Sequence, residues 1–219
     1  MTRLLTPLVA ILFAGIALAA SEPAVTTVQT AAPQEIKRYF EQSGMRVLTF
    51  AGYSGAGYED ADRMIREVTA ILERYDPKTT IVNIGATADG IGAVYPLARK
   101  KGFRTTGIVS TQARDNNVPL SPFVDRVFFV PDETWGGFIG GTRRLSPTSL
   151  AMVESSDVMV AIGGGDVTRD ELTAAKELGK EVRFIAADMN HQKAIDTARR
   201  KGAPAPTEFR GAASAIFAR

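Results

Sequence analysis

The sequence has no cysteine, a single histidine and a single tryptophan among its 219 residues. The absence of thiols excludes thiol catalysis and thiolate metal sites, and one histidine cannot build a multi-histidine metal centre. The formal net charge is only +2, which is too weak to indicate a nucleic acid or an anionic membrane as a partner. We therefore expect no cofactor and assign no metal ligands.

The amino-terminal residues have the pattern of an export signal. Arg3 precedes an uncharged, mostly apolar stretch over residues 4–18, and Ala17 and Ala19 form a small-x-small cleavage signal. An uncleaved anchor is the alternative, but the stretch is short for a membrane span. We expect a signal peptide over residues 1–20 and a secreted or periplasmic protein that has no membrane partner after cleavage. The remaining chain divides into a disordered leader (21–32), one domain (33–202) and a C-terminal tail (203–219).

Apolar runs alternate with helical patterns along the whole domain. Strands that alternate with helices indicate a parallel sheet, and continuous apolar runs are typical of strands covered on both faces. The sequence predicts an α/β fold with a doubly wound, mostly parallel six-stranded sheet, which is a Rossmann-like three-layer sandwich. The predicted strands span residues 46–51, 79–84, 104–109, 127–130, 157–162 and 182–187.

Three glycine-rich turns directly follow predicted strands. The carboxyl ends of parallel strands lie at one edge of a sheet, where backbone N–H groups and helix N-termini can receive an anion. The alternative is that these glycines only serve tight turns that need a positive φ, and that Asp89 caps a helix. The candidate ligand-binding residues are Gly52, Ser54 and Gly55 in the first turn, Gly85, Thr87 and Asp89 in the second, and Gly163, Gly164 and Gly165 in the third.

The third turn also supplies two candidate catalytic carboxylates. Thr168 and Glu171 have the spacing of a capping box at the start of a helix over residues 168–178, so Glu171 is interpreted first as a cap partner and second as a general base. Asp166 is left without a capping role, since Thr168 already serves as the cap.

The run from Ser156 to Gly165, followed by Glu171, resembles the SLOG superfamily of Rossmann-like nucleotide-binding domains, which includes the lonely-guy phosphoribohydrolases. The resemblance covers residues 45–202. It implies that a nucleotide or related ligand binds across the carboxyl edge of the sheet, with the triple glycine at the phosphate or ribose. When the motif of the enzymatic branch is aligned from Gly164, Thr168 and Glu171 match it, but Val167 replaces a glycine whose bare backbone would approach the phosphate. This departure favours binding or sensing over catalysis.

Three further candidates lie in loops or at a helix start. Trp135, beside two glycine pairs, is a candidate to stack on a base or sugar, or else anchors its loop on the core. Arg143 is a candidate phosphate clamp, or else a solvated residue. His191 is a candidate acid or base, or else a surface residue.

The sequence thus predicts an exported protein that binds a nucleotide-like or sugar-phosphate small molecule. Two alternatives stay open. One is a hydrolase that cleaves an N-glycosidic or phosphate ester bond, with Asp166, Glu171 or His191 as catalytic groups. The other is a protein-interaction module whose partner surface is the apolar loop over residues 135–141. No nucleic-acid partner is expected, and the oligomeric state, a homo-oligomer included, is left open.

Overall fold

A computed structural model describes residues 26–218, which form one seven-stranded sheet in the order β1-β5-β4-β3-β2-β6-β7. Every pair of neighbouring strands is parallel. The doubly wound, Rossmann-like α/β fold expected from the sequence is therefore confirmed. The strands are β1 (Thr27–Thr30), β2 (Arg46–Gly52), β3 (Thr80–Ile84), β4 (Arg104–Ser110), β5 (Arg126–Val130), β6 (Val158–Ile162) and β7 (Glu181–Ile185).

Helices connect these strands and cover both faces of the sheet. Gly90–Ala93 forms a short 3-10 helix that leads into α3. Pro96 lies in the first turn of α3, where proline is tolerated although it lacks an N–H. The α-helices are α1 (Pro33–Ser43), α2 (Ala61–Leu72), α3 (Val94–Lys100), α4 (Thr111–Asp115), α5 (Pro147–Ser155), α6 (Asp166–Glu177), α7 (His191–Arg200) and α8 (Ala212–Phe217).

The sheet separates two apolar cores. Leu48 and Phe50 of β2 contribute to the core under α2 and α3, while Val47 of the same strand contributes to the core under α1, α5 and α6. Because successive side chains of a strand point to opposite faces, a strand buried on both sides has to be apolar at nearly every position. This is why the apolar runs predicted the interior strands β2 to β6 so well.

The number of strands needs correction, and the predicted tail contains a helix. The sheet has seven strands rather than six, and the additional strand, Thr27–Thr30, lies in the segment predicted to be a disordered leader. All four of its residues are exposed, so it has no apolar run that would reveal it. The predicted tail is also partly ordered, since Ala212–Phe217 forms a helix that packs against α6.

The sequence predictions for the first 25 residues, including the signal peptide, lie outside the described residues. Within residues 26–218, no helix is both long enough and apolar enough to span a bilayer.

The order of the strands identifies the edge at which ligands bind in such folds. The chain continues from β2 to β3 on one side and later returns to β6 on the other side of β2. Such a reversal leaves a crevice outside the carboxyl ends of the strands, which is the usual ligand site of an open α/β sheet.

Candidate functional site

A crevice of about 340 Å³ opens at this carboxyl edge. It lies over the ends of β2, β3 and β4 and is bordered by α5, α6 and the loop that follows β5. Of the sequence candidates, six line it: Gly52, Ser54, Gly85, Thr87, Trp135 and Glu171.

The lining of the crevice is mostly apolar. Hydroxyl groups from two turns, one strand and two helices are interspersed in it, and Glu171 is the one ionisable side chain among the described residues that line it. No lysine or arginine of the described chain contributes to this lining. The apolar residues include Ile84, Ile91, Ile108, Val118, Pro119, Leu120 and Met152, and the hydroxyl residues are Ser54, Ser110, Thr87, Thr148 and Thr168.

Glu171 lies in α6 and is only 5% exposed. The hydroxyl of Ser149, in α5, donates a hydrogen bond to Glu171 Oε1 at 2.7 Å. Burial nevertheless dominates and raises the pKa of Glu171 to about 7, because the charged form loses its hydration. A carboxyl group with this pKa can give or accept a proton near neutral pH.

The interpretation of Glu171 as a cap partner is wrong. The helix begins at Asp166 with Gly165 as its N-cap, so Thr168 lies inside the first turn instead of capping it. The side chain of Glu171 is therefore free of the helix end and turns to Ser149 instead.

The loop that carries Trp135 is fastened to the same two helices. The backbone N–H of Gly137 donates to Ser149 Oγ at 2.7 Å, and that of Phe138 donates to Asp170 Oδ2 at 2.8 Å. A Cβ at Gly137 would lie 2.9 Å from Asp170 Oδ2, so this close approach requires glycine. Trp135 itself is 53% exposed and lines the crevice. Asp170 and Ser149 thus hold the loop whose exposed Trp135 lines the same crevice as the buried Glu171.

The end of β2 is filled by two tyrosines of the chain. Tyr58 Oη donates to the carbonyl oxygen of Ile162 at 2.9 Å and accepts from the N–H of Tyr53 at 3.2 Å. A Cβ at Gly52 would lie 2.1 Å from Tyr58 Oη. Gly52 is therefore required by internal packing, although it also borders the crevice.

The triple glycine does not face an open crevice, contrary to expectation. A Cβ at Gly163 would lie 2.4 Å from the ring of Tyr53, and Gly163 and Gly164 are both buried. The C-terminal segment lies over the same turn: the N–H of Gly211 donates to Tyr53 Oη at 2.6 Å, and that of Ala213 donates to the carbonyl oxygen of Gly164 at 3.2 Å. Gly165, the third glycine, is half-buried and begins α6. Gly163 accommodates the tyrosine and Gly164 is covered by the C-terminal segment, so the open space lies beside this turn and not over it.

Five further candidates also lie away from the crevice lining. Asp166 is exposed and its carboxylate is 2.7 Å from the guanidinium of Arg169. Arg143 is exposed and forms an ion pair with Glu177. Asp89 and Gly55 are exposed in their turns.

The fifth of these candidates, His191, begins α7 and stacks on Phe209 with the ring centroids 3.9 Å apart. Its Nε2 lies 3.4 Å from Asp188 Oδ2 and its Nδ1 lies 3.8 Å from Glu59 Oε1. These surroundings border a different hollow from the one that contains Glu171.

Three residues that the sequence interpretation missed support the site. Ser149 and Asp170 connect α5 and α6 to the Trp135 loop, and Thr148 borders the crevice from α5. No local motif indicates them, because their partners lie 12 to 32 residues away along the chain. The sequence signal is the pair of adjacent acids, Asp170 and Glu171, in one helix. Acidic residues are rarely buried unless they have partners, so their burial here is unusual.

Removing the carboxylate of Asp170 is expected to release the Trp135 loop. In Asp170→Ala, the N–H of Phe138 loses its acceptor and the guanidinium of Arg169 loses a partner at 2.8 Å. Hydrogen bonds to a charged group contribute about 1.5–3 kcal/mol each. We expect a stability loss of about 3 kcal/mol and increased acrylamide quenching of Trp135, the single tryptophan of the chain.

The matched control is Asp166→Ala, which removes the exposed second partner of Arg169 without touching the loop. Equal changes in quenching for the two variants would show that Asp170 does not hold the loop.

Comparisons with known proteins concern the fold. No family model and no curated protein matches the chain. The crystal structure of TM1055 is similar over 63% of this chain and 72% of that protein, with 24% identity and a TM-score of 0.45. The molybdenum cofactor carrier protein of Chlamydomonas reinhardtii is similar over 64% of this chain and 76% of that protein, with 19% identity and a TM-score of 0.46. The Rossmann-like fold that the resemblance to the SLOG superfamily implied is confirmed by the parallel sheet and its strand order.

Proposed function

We propose that this protein binds a nucleotide-like small molecule in the crevice at the carboxyl edge of the sheet. The observation that carries the proposal is the combination of an exposed indole, an apolar floor and a small set of polar groups around one hollow of about 340 Å³. Ligand sites for small molecules are concave, mainly apolar and furnished with a few convergent polar groups. The hollow has the size at which such sites begin, about 300 Å³.

Trp135 and the apolar residues favour a flat ring in the ligand. Trp135 is 53% exposed and lines an apolar hollow, so aromatic surface is left in water. Stacking of a base or another planar ring on this surface contributes about 1–3 kcal/mol in comparable aromatic sites.

Three hydroxyl residues of the lining favour a phosphate at the rim. Ser54 and Thr87 border the crevice from two of the glycine-rich turns, and Thr168 borders it from the first turn of α6. Hydroxyl groups donate to phosphate oxygens, and the N-terminus of a helix favours negative charge. A ring inside and a phosphate at the rim describe a nucleotide or a related compound.

The test is binding of GMP, AMP and ribose 5-phosphate, followed by calorimetry and by the fluorescence of Trp135. We expect at least one of these compounds to quench the indole, Trp135→Ala to weaken binding about tenfold or more, and Trp135→Phe to restore most of it. Leu178→Ala, which truncates a residue that is 60% exposed outside the crevice lining, is the matched control. Absence of binding for all three compounds would contradict the proposal.

A second candidate function is cleavage of an N-glycosidic or phosphate ester bond in the same ligand. It is favoured by one observation, a carboxyl group in the crevice with a pKa of about 7, which suits a general acid or base. Release of the base from nucleoside monophosphates is the assay. Turnover that disappears in Glu171→Gln while binding persists would support a hydrolase, and binding without turnover would support the first proposal.

We also propose that the protein is exported and works outside the cytoplasm. The support is the pattern of Arg3, the apolar stretch 4–18 and the cleavage signal that ends at Ala19. Fractionation of cells that express the full chain, together with N-terminal sequencing of the mature protein, is the test. A chain that keeps Met1 and stays in the cytoplasm would contradict export.

A further inference from the structure

We propose that Glu171 recognises the ring of the ligand: the crevice takes a planar heterocycle of the guanine type, whose ring N–H and exocyclic amino group donate hydrogen bonds to the carboxylate. This inference rests on the proposed function and assigns a part of the ligand to a part of the crevice. It places the phosphate outside the hollow, at the rim.

The charge of the crevice lining favours an uncharged group inside the crevice. Glu171 is the one ionisable group in the described lining, and no cation of the described chain accompanies it. A phosphate inside this hollow would be partly desolvated beside a carboxylate, with no opposite charge to compensate. Arg143, the cation that the sequence offered as a clamp, is exposed and paired with Glu177. The inner part of the crevice is therefore suited to an uncharged group.

The carboxyl group of Glu171 keeps acceptor positions that a ligand can use. Ser149 Oγ accepts from the N–H of Gly137 and donates its own proton to Glu171 Oε1, both at 2.7 Å. Within residues 26–218, Glu171 Oε2 has no hydrogen-bond partner from the protein. One lone pair of Oε1 and both lone pairs of Oε2 are thus left to accept from a ligand. Two neighbouring N–H donors are the arrangement that an ionised carboxylate accepts best, as in the pairing of carboxylates with a guanidinium fork.

The aromatic surface of Trp135 lies at the same hollow as Glu171. The Trp135 loop is tied through Gly137 to Ser149, and Ser149 is tied to Glu171. The indole and the carboxyl group thus border the same hollow and are fixed by one chain of hydrogen bonds. The N–H groups of a ring that stacks on the indole need an acceptor within this hollow. Glu171 provides one, whereas the apolar side chains of the lining do not.

The experiment compares guanosine with inosine at pH 8, where Glu171 is ionised. Inosine has the same ring and ribose but lacks the exocyclic amino group, so the pair isolates one donor. We expect guanosine to bind about tenfold more tightly than inosine, the effect of one hydrogen bond to a charged acceptor. In Glu171→Gln the side chain presents one acceptor and one donor, and we expect the preference to fall to less than threefold.

Ribose 5-phosphate and GMP separate this inference from the proposed function. If guanosine and inosine bind equally, or if the preference survives in Glu171→Gln, the role of Glu171 is overturned while nucleotide binding stands. If ribose 5-phosphate binds and both nucleosides fail, the hollow holds the phosphate and the inference is again overturned. If guanosine, inosine, GMP, AMP and ribose 5-phosphate all fail to bind, both proposals are overturned.

Discussion

Glu171→Gln is expected to stabilise the folded protein by about 3 kcal/mol at pH 8 and by much less at pH 4.5. Burial raises the pKa of Glu171 from 4.5 to about 7 in the folded chain. The folded state therefore binds the proton more tightly than the unfolded state. The stability gained from this protonation is fully present below the unfolded pKa of Glu171. It is lost as the pH rises from about 4.5 to about 7 and stays lost above. Glutamine remains neutral throughout, and its Oε1 can still accept from Ser149.

The measurement is the free energy of unfolding in urea at several pH values between 4.5 and 8. Glu177→Gln is the matched control, because it makes the same substitution in the same helix at a side chain that is 56% exposed. Exposed charges contribute little to stability, so the control is expected to keep the pH profile of the parent protein. If the curves of the parent and of Glu171→Gln stay parallel across this range, the ionisation of Glu171 is not coupled to folding.

A carboxyl group that lowers stability at neutral pH calls for an explanation. Glu171 is 5% exposed and, within residues 26–218, has Ser149 as its one donor, whereas an ordinary buried acid is compensated by an ion pair or several donors. Asp170, the neighbouring residue, is compensated in this way by Arg169 and by the N–H of Phe138. Of two adjacent buried acids in one helix, Asp170 thus has a cation and a backbone donor, whereas Glu171 has no cation among the described residues. Ionisable groups with strongly perturbed pKa values are concentrated at functional sites. The contrast supports a ligand as the missing partner of Glu171.

Most of the fold could be predicted because burial leaves a simple record in the sequence. Strands β2 to β6 coincide with apolar runs, since neither face of an interior strand meets water. Strand β1 left no such record, because its residues Thr27–Thr30 are exposed at the edge of the sheet. The short helix Thr111–Asp115 likewise lies in a segment without an apolar run.

The site was predictable at the level of the sheet edge and less so at the level of single residues. Ser54, Thr87, Trp135 and Glu171 do border one crevice, because parallel strands bring their carboxyl ends together. Glycine patterns, however, cannot distinguish a ligand from a side chain of the protein as the group that comes close. The absence of a side chain at Gly163 makes room for Tyr53, which lies more than a hundred residues earlier in the chain. The bond between Ser149 and Glu171 depends on how α5 packs on α6, which local patterns do not encode.

Gly164→Val is expected to destabilise the fold by about 3–5 kcal/mol, whatever the protein binds. Gly164 has a φ of +124°, a conformation that β-branched residues avoid, and a Cβ would lie 2.5 Å from the side chain of Thr168. Backbone strain of this kind costs about 1–3 kcal/mol, and overpacking adds about 1–3 kcal/mol. The carbonyl oxygen of Gly164 also accepts from the N–H of Ala213. We therefore expect the C-terminal segment to detach as well, which limited proteolysis within residues 203–211 would reveal.

Gly165→Ala is the matched control in the adjacent position. It has no heavy atom within 4 Å of the added Cβ and a φ of −87°, which alanine adopts without strain. As the N-cap of α6 its replacement is expected to cost less than about 1 kcal/mol. Urea unfolding of the three proteins at pH 6 gives the comparison. If Gly164→Val were as stable as Gly165→Ala, the turn would be open, as the sequence first indicated, and the contacts with Thr168 and Ala213 would not hold it closed.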